Sequence, residues 1–196
     1  MYTTIDTGHQ TGQRRFQKPG REAVRSACTR GGPDIWLGTA AAHETAGLAR
    51  CGRIGADAAV EVIMESVAAN PQLFCEAQDA DLYRWIDELG CYSPVMHLQQ
   101  TDGAQSAHRG FKEPFGAGDI VVPEKVLESL AVSYLAPEMP GLPKADAIHL
   151  TFELFFPTSA YNHEIVATLK ESVDVWRRAV PYDGIRLSEA LAMIFH

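Results

Sequence analysis

The sequence predicts an α+β fold: a single domain with a helix-rich amino-terminal half and a small, mostly antiparallel sheet carrying helices on one face. Three observations carry this expectation. Apolar residues recur at helical spacing between residues 21 and 90. At residue 91 the texture changes to short strand-like stretches interleaved with helices, an order that reads as α+β. The stretch "AIHLTFELFF" at 147–156 alternates strictly. It sets Ile148, Leu150, Phe152, Leu154 and Phe156 on one face and His149, Thr151 and Glu153 on the other. A sheet with one polar face is the habit of antiparallel strands.

Residues 1–20 mix Thr, Gly, Gln and Arg with almost no apolar periodicity and are expected to form a flexible basic arm ahead of one domain at 21–196. "REAVRSACTR" fits a short helix ended by "GGPD". The alanine-rich "IWLGTAAAHETAGLA" at 35–49 also reads as helix, although Gly38 and Gly47 each weaken it by about 1 kcal/mol against Ala. Val60, Ile63, Met64 and Val67 then repeat at i, i+3, i+4, i+7 before Asn70-Pro71 ends the run. Leu82, Trp85, Ile86 and Leu89 have the same spacing, with Asp79 or Asp81 as N-cap and Gly90 suited to a left-handed C′ position.

"CYSPVMHLQQT" reads as a strand whose beginning is bent by Pro94. The stretch 102–118, "DGAQSAHRGFKEPFGAG", has no periodicity, and loops of this length usually bind something or lack order. "DIVV" follows as a short strand. Pro123 sits at N1 of a helix with core face Val126, Leu127, Leu130 and Tyr134. After the proline-rich connector "APEMPGLPKAD" and the 147–156 strand comes a helix with the stripe Tyr161, Ile165, Leu169, Val173, Trp176 and Val180. A short strand at Ile185–Leu187 and a helix capped by Ser188 close the chain.

The bulk numbers narrow the function classes. A chain of 196 residues, 46% hydrophobic and 21% charged, is long enough for one ordinary core. No apolar run approaches the roughly 20 residues that cross a bilayer, and the start has no apolar signal segment. Cys28, Cys51, Cys75 and Cys91 include no C-x-x-C pair, which argues against a zinc ribbon and for reduced thiols in the cytoplasm. The net charge of −8 is uneven: residues 1–32 carry an excess of +4, leaving −12 for the rest. An acidic body is a poor platform for nucleic acid. The arm's Arg14, Arg15, Lys18 and Arg21 suit an acidic protein partner, and its composition is also compatible with an organelle transit segment.

Chemistry-bearing motifs are sparse. "HETAG" at 43–47 has Gly where a zincin helix needs its second histidine, and "CEAQDAD" lacks the glycine and terminal glutamate of an EF-hand. Neither a P-loop, a dinucleotide loop nor a nucleophile elbow is present, so no metal and no cofactor are expected. His149-Leu150-Thr151 on a strand, followed by an apolar residue, resembles half of the signature of the 2H phosphoesterases. The resemblance implies a second His-x-Thr on another strand, because one histidine serves as base and the other as acid. His9-Gln10-Thr11 lies in the arm, His43-Glu44-Thr45 in a helical stretch, and His97 has Gln99 two residues on. The signature is incomplete and the family is not assigned.

Two readings of function follow. One is a non-catalytic protein that binds a protein partner, as inhibitor, immunity-type or regulatory accessory factor, through the 102–118 loop with Phe111 and Phe115 or through the basic arm. The other is a small hydrolase or phosphodiesterase that uses His97 and His149 on the polar face of the sheet, with Thr151 and Glu153 in support.

Overall fold

In a computed structural model the chain divides into two compact units, Gln13–Ala80 and Met1–Gly12 with Asp81–His196. The structure describes residues 2–30 and 35–195, so the "GGPD" break at 31–34 lies outside the described residues.

The 13–80 unit is a three-helix cluster of α1 (Arg21–Thr29), α2 (Ala40–Arg50) and α3 (Ala56–Ala69). Its core is made of small and branched residues: Val24, Ala27, Ala42, Ala46, Ala59, Val60, Ile63 and Val67 are all buried. Alanines at the contacts let the helices approach closely. The hydroxyl of Thr39 caps α2 by accepting from the Ala42 N–H at 3.1 Å.

The second unit holds the sheet, formed by β1 (Thr4–Asp6), β2 (Val95–Leu98) and β3 (His149–Phe152) in that spatial order. Both pairings are parallel, with Ile5 beside Met96 and Met96 beside Leu150. The α+β class holds, but the expected antiparallel sheet does not. Alternation in a sequence tells which side chains share a face and is silent on strand direction. Direction follows from the connections, and both are long crossovers of the kind parallel strands require: residues 7–94 and 99–148.

Residues 4–6 also correct the expectation of an arm. Ile5 is 2% exposed, and its N–H donates to the Ser93 hydroxyl at 2.9 Å. A single buried isoleucine between polar residues leaves no periodicity to read. Gln10–Phe16 continues as 3₁₀ turns.

Behind the sheet lie α4 (Leu82–Leu89), α5 (Pro123–Leu135), α6 (Asn162–Ala179) and α7 (Leu187–Ile194). Ile5, Met96 and Leu98 share one core with Ile86 of α4, Leu127 of α5 and Trp176 of α6. No helix among the described residues is long and apolar enough to cross a membrane.

Several local expectations change. Asp119–Val122 is not a strand, because side chains satisfy its backbone. Gln100 accepts from the Val121 N–H at 3.0 Å and donates to its carbonyl at 2.9 Å. The Tyr83 hydroxyl bridges the Ile120 carbonyl and the Val122 N–H. Gly90 has right-handed helical dihedrals, φ −55° and ψ −44°, so a left-handed cap is not its purpose. A Cβ there would stand 2.9 Å from Leu130 Cδ2, so it is space between α4 and α5 that the glycine supplies. Ile185–Leu187 forms no strand, and Arg186, not Ser188, occupies the N-cap of α7. In α6 the buried face is Ser172, Val175, Trp176 and Ala179, while Tyr161, Leu169 and Val173 are exposed. A strict i, i+4 row drifts around a helix of 3.6 residues per turn, so its two ends cannot both face the core.

Phe111, expected on a contact loop, is fully buried, edge-on to Trp176 at 5.5 Å, and its N–H donates to Ser172 Oγ at 2.9 Å. Phe115 packs against the same core. The 102–118 loop therefore spends its aromatics on the fold.

Candidate functional site

Parallel strands end together, and open parallel sheets offer ligands a place at those carboxyl ends. Asp6 is the last residue of β1, His97 lies one residue before the end of β2, and Glu153 follows β3 directly. The register puts Asp6 beside His97 and His97 beside Thr151. These three share the face opposite Ile5, Met96 and Leu150, and Glu153, two residues beyond Thr151, returns to it.

Asp6 is the most enclosed member, 5% exposed. Its Oδ1 accepts from the N–H of Gly8 at 2.7 Å and of His9 at 2.9 Å. The Gln99 amide donates to Oδ1 at 2.8 Å and to Oδ2 at 3.0 Å. Burial works to push the Asp6 carboxyl up, but a hydrogen bond with the Glu153 side chain and the hydrogen bonds from the Gln99 amide and the two backbone N–H groups outweigh it. The group is held below its ordinary value. Glu153 Oε2 stands 2.8 Å from His97 Nδ1. Ligating atoms of Asp6, His97 and Glu153 all lie within 4.8 Å of one another. Among the described residues no lysine or arginine forms an ion pair with either carboxylate.

A second layer holds the first. Gln99 is fully buried, and its Oε1 accepts from the His108 N–H at 2.6 Å, fixing the amide so that its NH₂ faces Asp6. His108 has φ +47°, a left-handed conformation uncommon outside glycine. Its ring stacks on Phe155 at 3.9 Å between centroids and meets His9 edge-on at 5.4 Å. Ser106 Oγ lies 3.1 Å from its Nε2.

Of the residues singled out in the sequence, the fold brings His97 and Glu153 together. Thr151 stands next to His97 in register and is exposed. His149 is also exposed and on the same face, but it pairs with Val95 at the amino end of β3, outside the cluster. Among the described residues neither of these two side chains has a hydrogen-bond partner. The other His-x-Thr copies do not supply a second strand motif. His43 lies in α2, where its Nε2 accepts from the Leu37 N–H at 3.2 Å. Thr11 is buried in a 3₁₀ turn and donates to the Gly8 carbonyl at 2.7 Å.

Sequence reasoning missed Asp6, Gln99 and His108 as one network. Asp6-x-Gly8 is an Asx-turn signal, the single local hint that Asp6 is fixed. Gln99 and His108 meet it only through the fold. No protein-family model matches the chain, and no curated protein matches it in sequence.

Proposed function

We propose that the chain is a small hydrolase that cleaves a phosphodiester or a similar ester at the carboxyl ends of the three strands. The observation that supports this reading is the 2.8 Å hydrogen bond between His97 Nδ1 and Glu153 Oε2. With Nδ1–H donating to the carboxylate, the Nε2 lone pair is free to take a proton from water. The water oxygen then bonds to phosphorus, the ester P–O bond breaks, and the leaving oxygen collects the proton from the same imidazolium. Glu153 stabilises that imidazolium, and Thr151 beside it would donate to a phosphate oxygen. His149, further along the face, would contact the substrate rather than the reacting atoms. Unpaired thiols, with Cys28 and Cys91 buried, favour a reducing, cytoplasmic setting.

The test is turnover of bis-p-nitrophenyl phosphate and a panel of nucleoside cyclic phosphates by the wild-type chain, His97→Gln and Glu153→Gln. Loss of about 10²-fold or more in both folded variants is expected, the usual worth of a positioned acid–base group. Equal turnover in the variants would exclude the role given to His97.

A second reading, capture of a protein partner, is favoured by the exposed apolar side chains Val166, Leu169 and Val173, at helical spacing on α6. It predicts a stoichiometric complex that Val166→Glu disrupts and His97→Gln leaves intact.

A further inference from the structure

We propose that Asp6, Glu153 and His97 form a binding site for one divalent transition-metal ion, of the Mn²⁺ or Zn²⁺ kind. The location and reaction class rest on the hydrolase reading; the binding itself does not.

Donor chemistry is the first ground. Two carboxylates and an imidazole suit a borderline divalent ion better than a purely oxygen-loving one. Three protein ligands with the remaining positions open is also the usual form of a catalytic metal site. Spacing is the second. Metal–ligand bonds of about 2.0–2.2 Å at right angles place neighbouring ligand atoms about 3 Å apart, and trans ligands about 4.2 Å apart. The His97–Glu153 separation of 2.8 Å matches an edge, and the 4.8 Å limit on the whole set accommodates the rest.

Charge is the third. A nearly buried Asp6 has a carboxylate oxygen within 4.8 Å of one on Glu153, and among the described residues neither has a lysine or arginine partner. An ion between two neighbouring carboxyls would favour the ionised form of both. A phosphodiester approaching that pair would meet like charge, and an ion between the carboxylates reverses the local field in its favour.

The outer layer is already in place. Oδ1 of Asp6 is occupied by Gly8, His9 and Gln99, whereas Oδ2 has the longer 3.0 Å Gln99 contact. Such orienting donors are characteristic of metal ligands. On loading, the His97 ring would carry its single proton on Nε2, and Nδ1 and Glu153 Oε2 would both turn to the ion. Water bound to the ion then takes the place of the water that Nε2 would otherwise deprotonate.

The experiment is isothermal titration of the full chain, stripped with EDTA and desalted, with Mn²⁺ and with Zn²⁺. One ion per chain is expected. Glu153→Gln and Asp6→Asn should each weaken binding at least tenfold, and Glu153→Gln, at a half-exposed position, tests the site even if the buried Asp6 variant fails to fold. An unchanged affinity in folded Glu153→Gln, or no stoichiometric binding by the wild-type chain, overturns the proposal. Turnover that persists in excess EDTA without binding overturns it while leaving the hydrolase reading intact. Stoichiometric binding without turnover of any ester supports the site and removes that reading instead.

Discussion

The Gln99 amide donates to both oxygens of Asp6, at 2.8 and 3.0 Å, and so ties the end of β1 to the chain leaving β2. The same side chain accepts from the His108 N–H. One buried glutamine thereby sets both the carboxylate and the loop that closes over it.

Replacing Gln99 with Leu keeps the volume and removes all of these bonds. It strands the His108 N–H and withdraws two contacts from a buried carboxylate. Leaving buried partners unpaired costs about 1–3 kcal/mol each, more when one is charged. A loss of at least 2 kcal/mol in urea unfolding is expected. A variant as stable as wild type would mean that the network contributes nothing to the fold.

Ile5→Ala separates a structural strand from a loose arm. Truncating a core isoleucine costs about 2–5 kcal/mol, whereas a change in a solvated tail falls within about 0.5 kcal/mol. Thermal and urea unfolding read the difference directly, and the strand assignment predicts the larger figure.

Tyr83 gives a pH signature. Burial pushes its hydroxyl above the ordinary value of 10.0, opposed by the Val122 N–H and reinforced by the negative charges of Asp81, Glu124 and Glu128. Above about pH 10 the unfolded chain releases this proton before the folded one does. Stability present below pH 10 should therefore decline as pH rises toward the folded value. Tyr83→Phe should flatten that alkaline decline while lowering stability at neutral pH, because the Val122 N–H loses its acceptor. An identical alkaline slope in both proteins would contradict the linkage.

Local signals carried much of the architecture. The stripe of Val60, Ile63 and Val67 is buried in α3, and Asp81 caps α4 by accepting from the Tyr83 N–H at 3.0 Å. Pro94 ends where β2 begins. The alternation around His149 correctly sorts apolar from polar faces, since Leu150 and Phe152 pack on the core. What was not legible depends on contacts distant in sequence. Strand direction is decided by crossovers, not by alternation. β1 is three residues long and offers no period. Glu153 was visible because it continues the alternation of the stretch that carries His149, but Asp6 reaches it only across 147 positions of chain that the fold brings back together.

The most direct test of the site is the ring tautomer of His97, read by two-bond ¹H–¹⁵N correlation NMR of the metal-free chain. A carboxylate accepting from Nδ1 predicts a neutral ring protonated on Nδ1, reverting to the commoner Nε2–H form in Glu153→Gln. A wild-type ring already protonated on Nε2, unaffected by that substitution, would show that Glu153 does not hold His97 and that the cluster is no working unit.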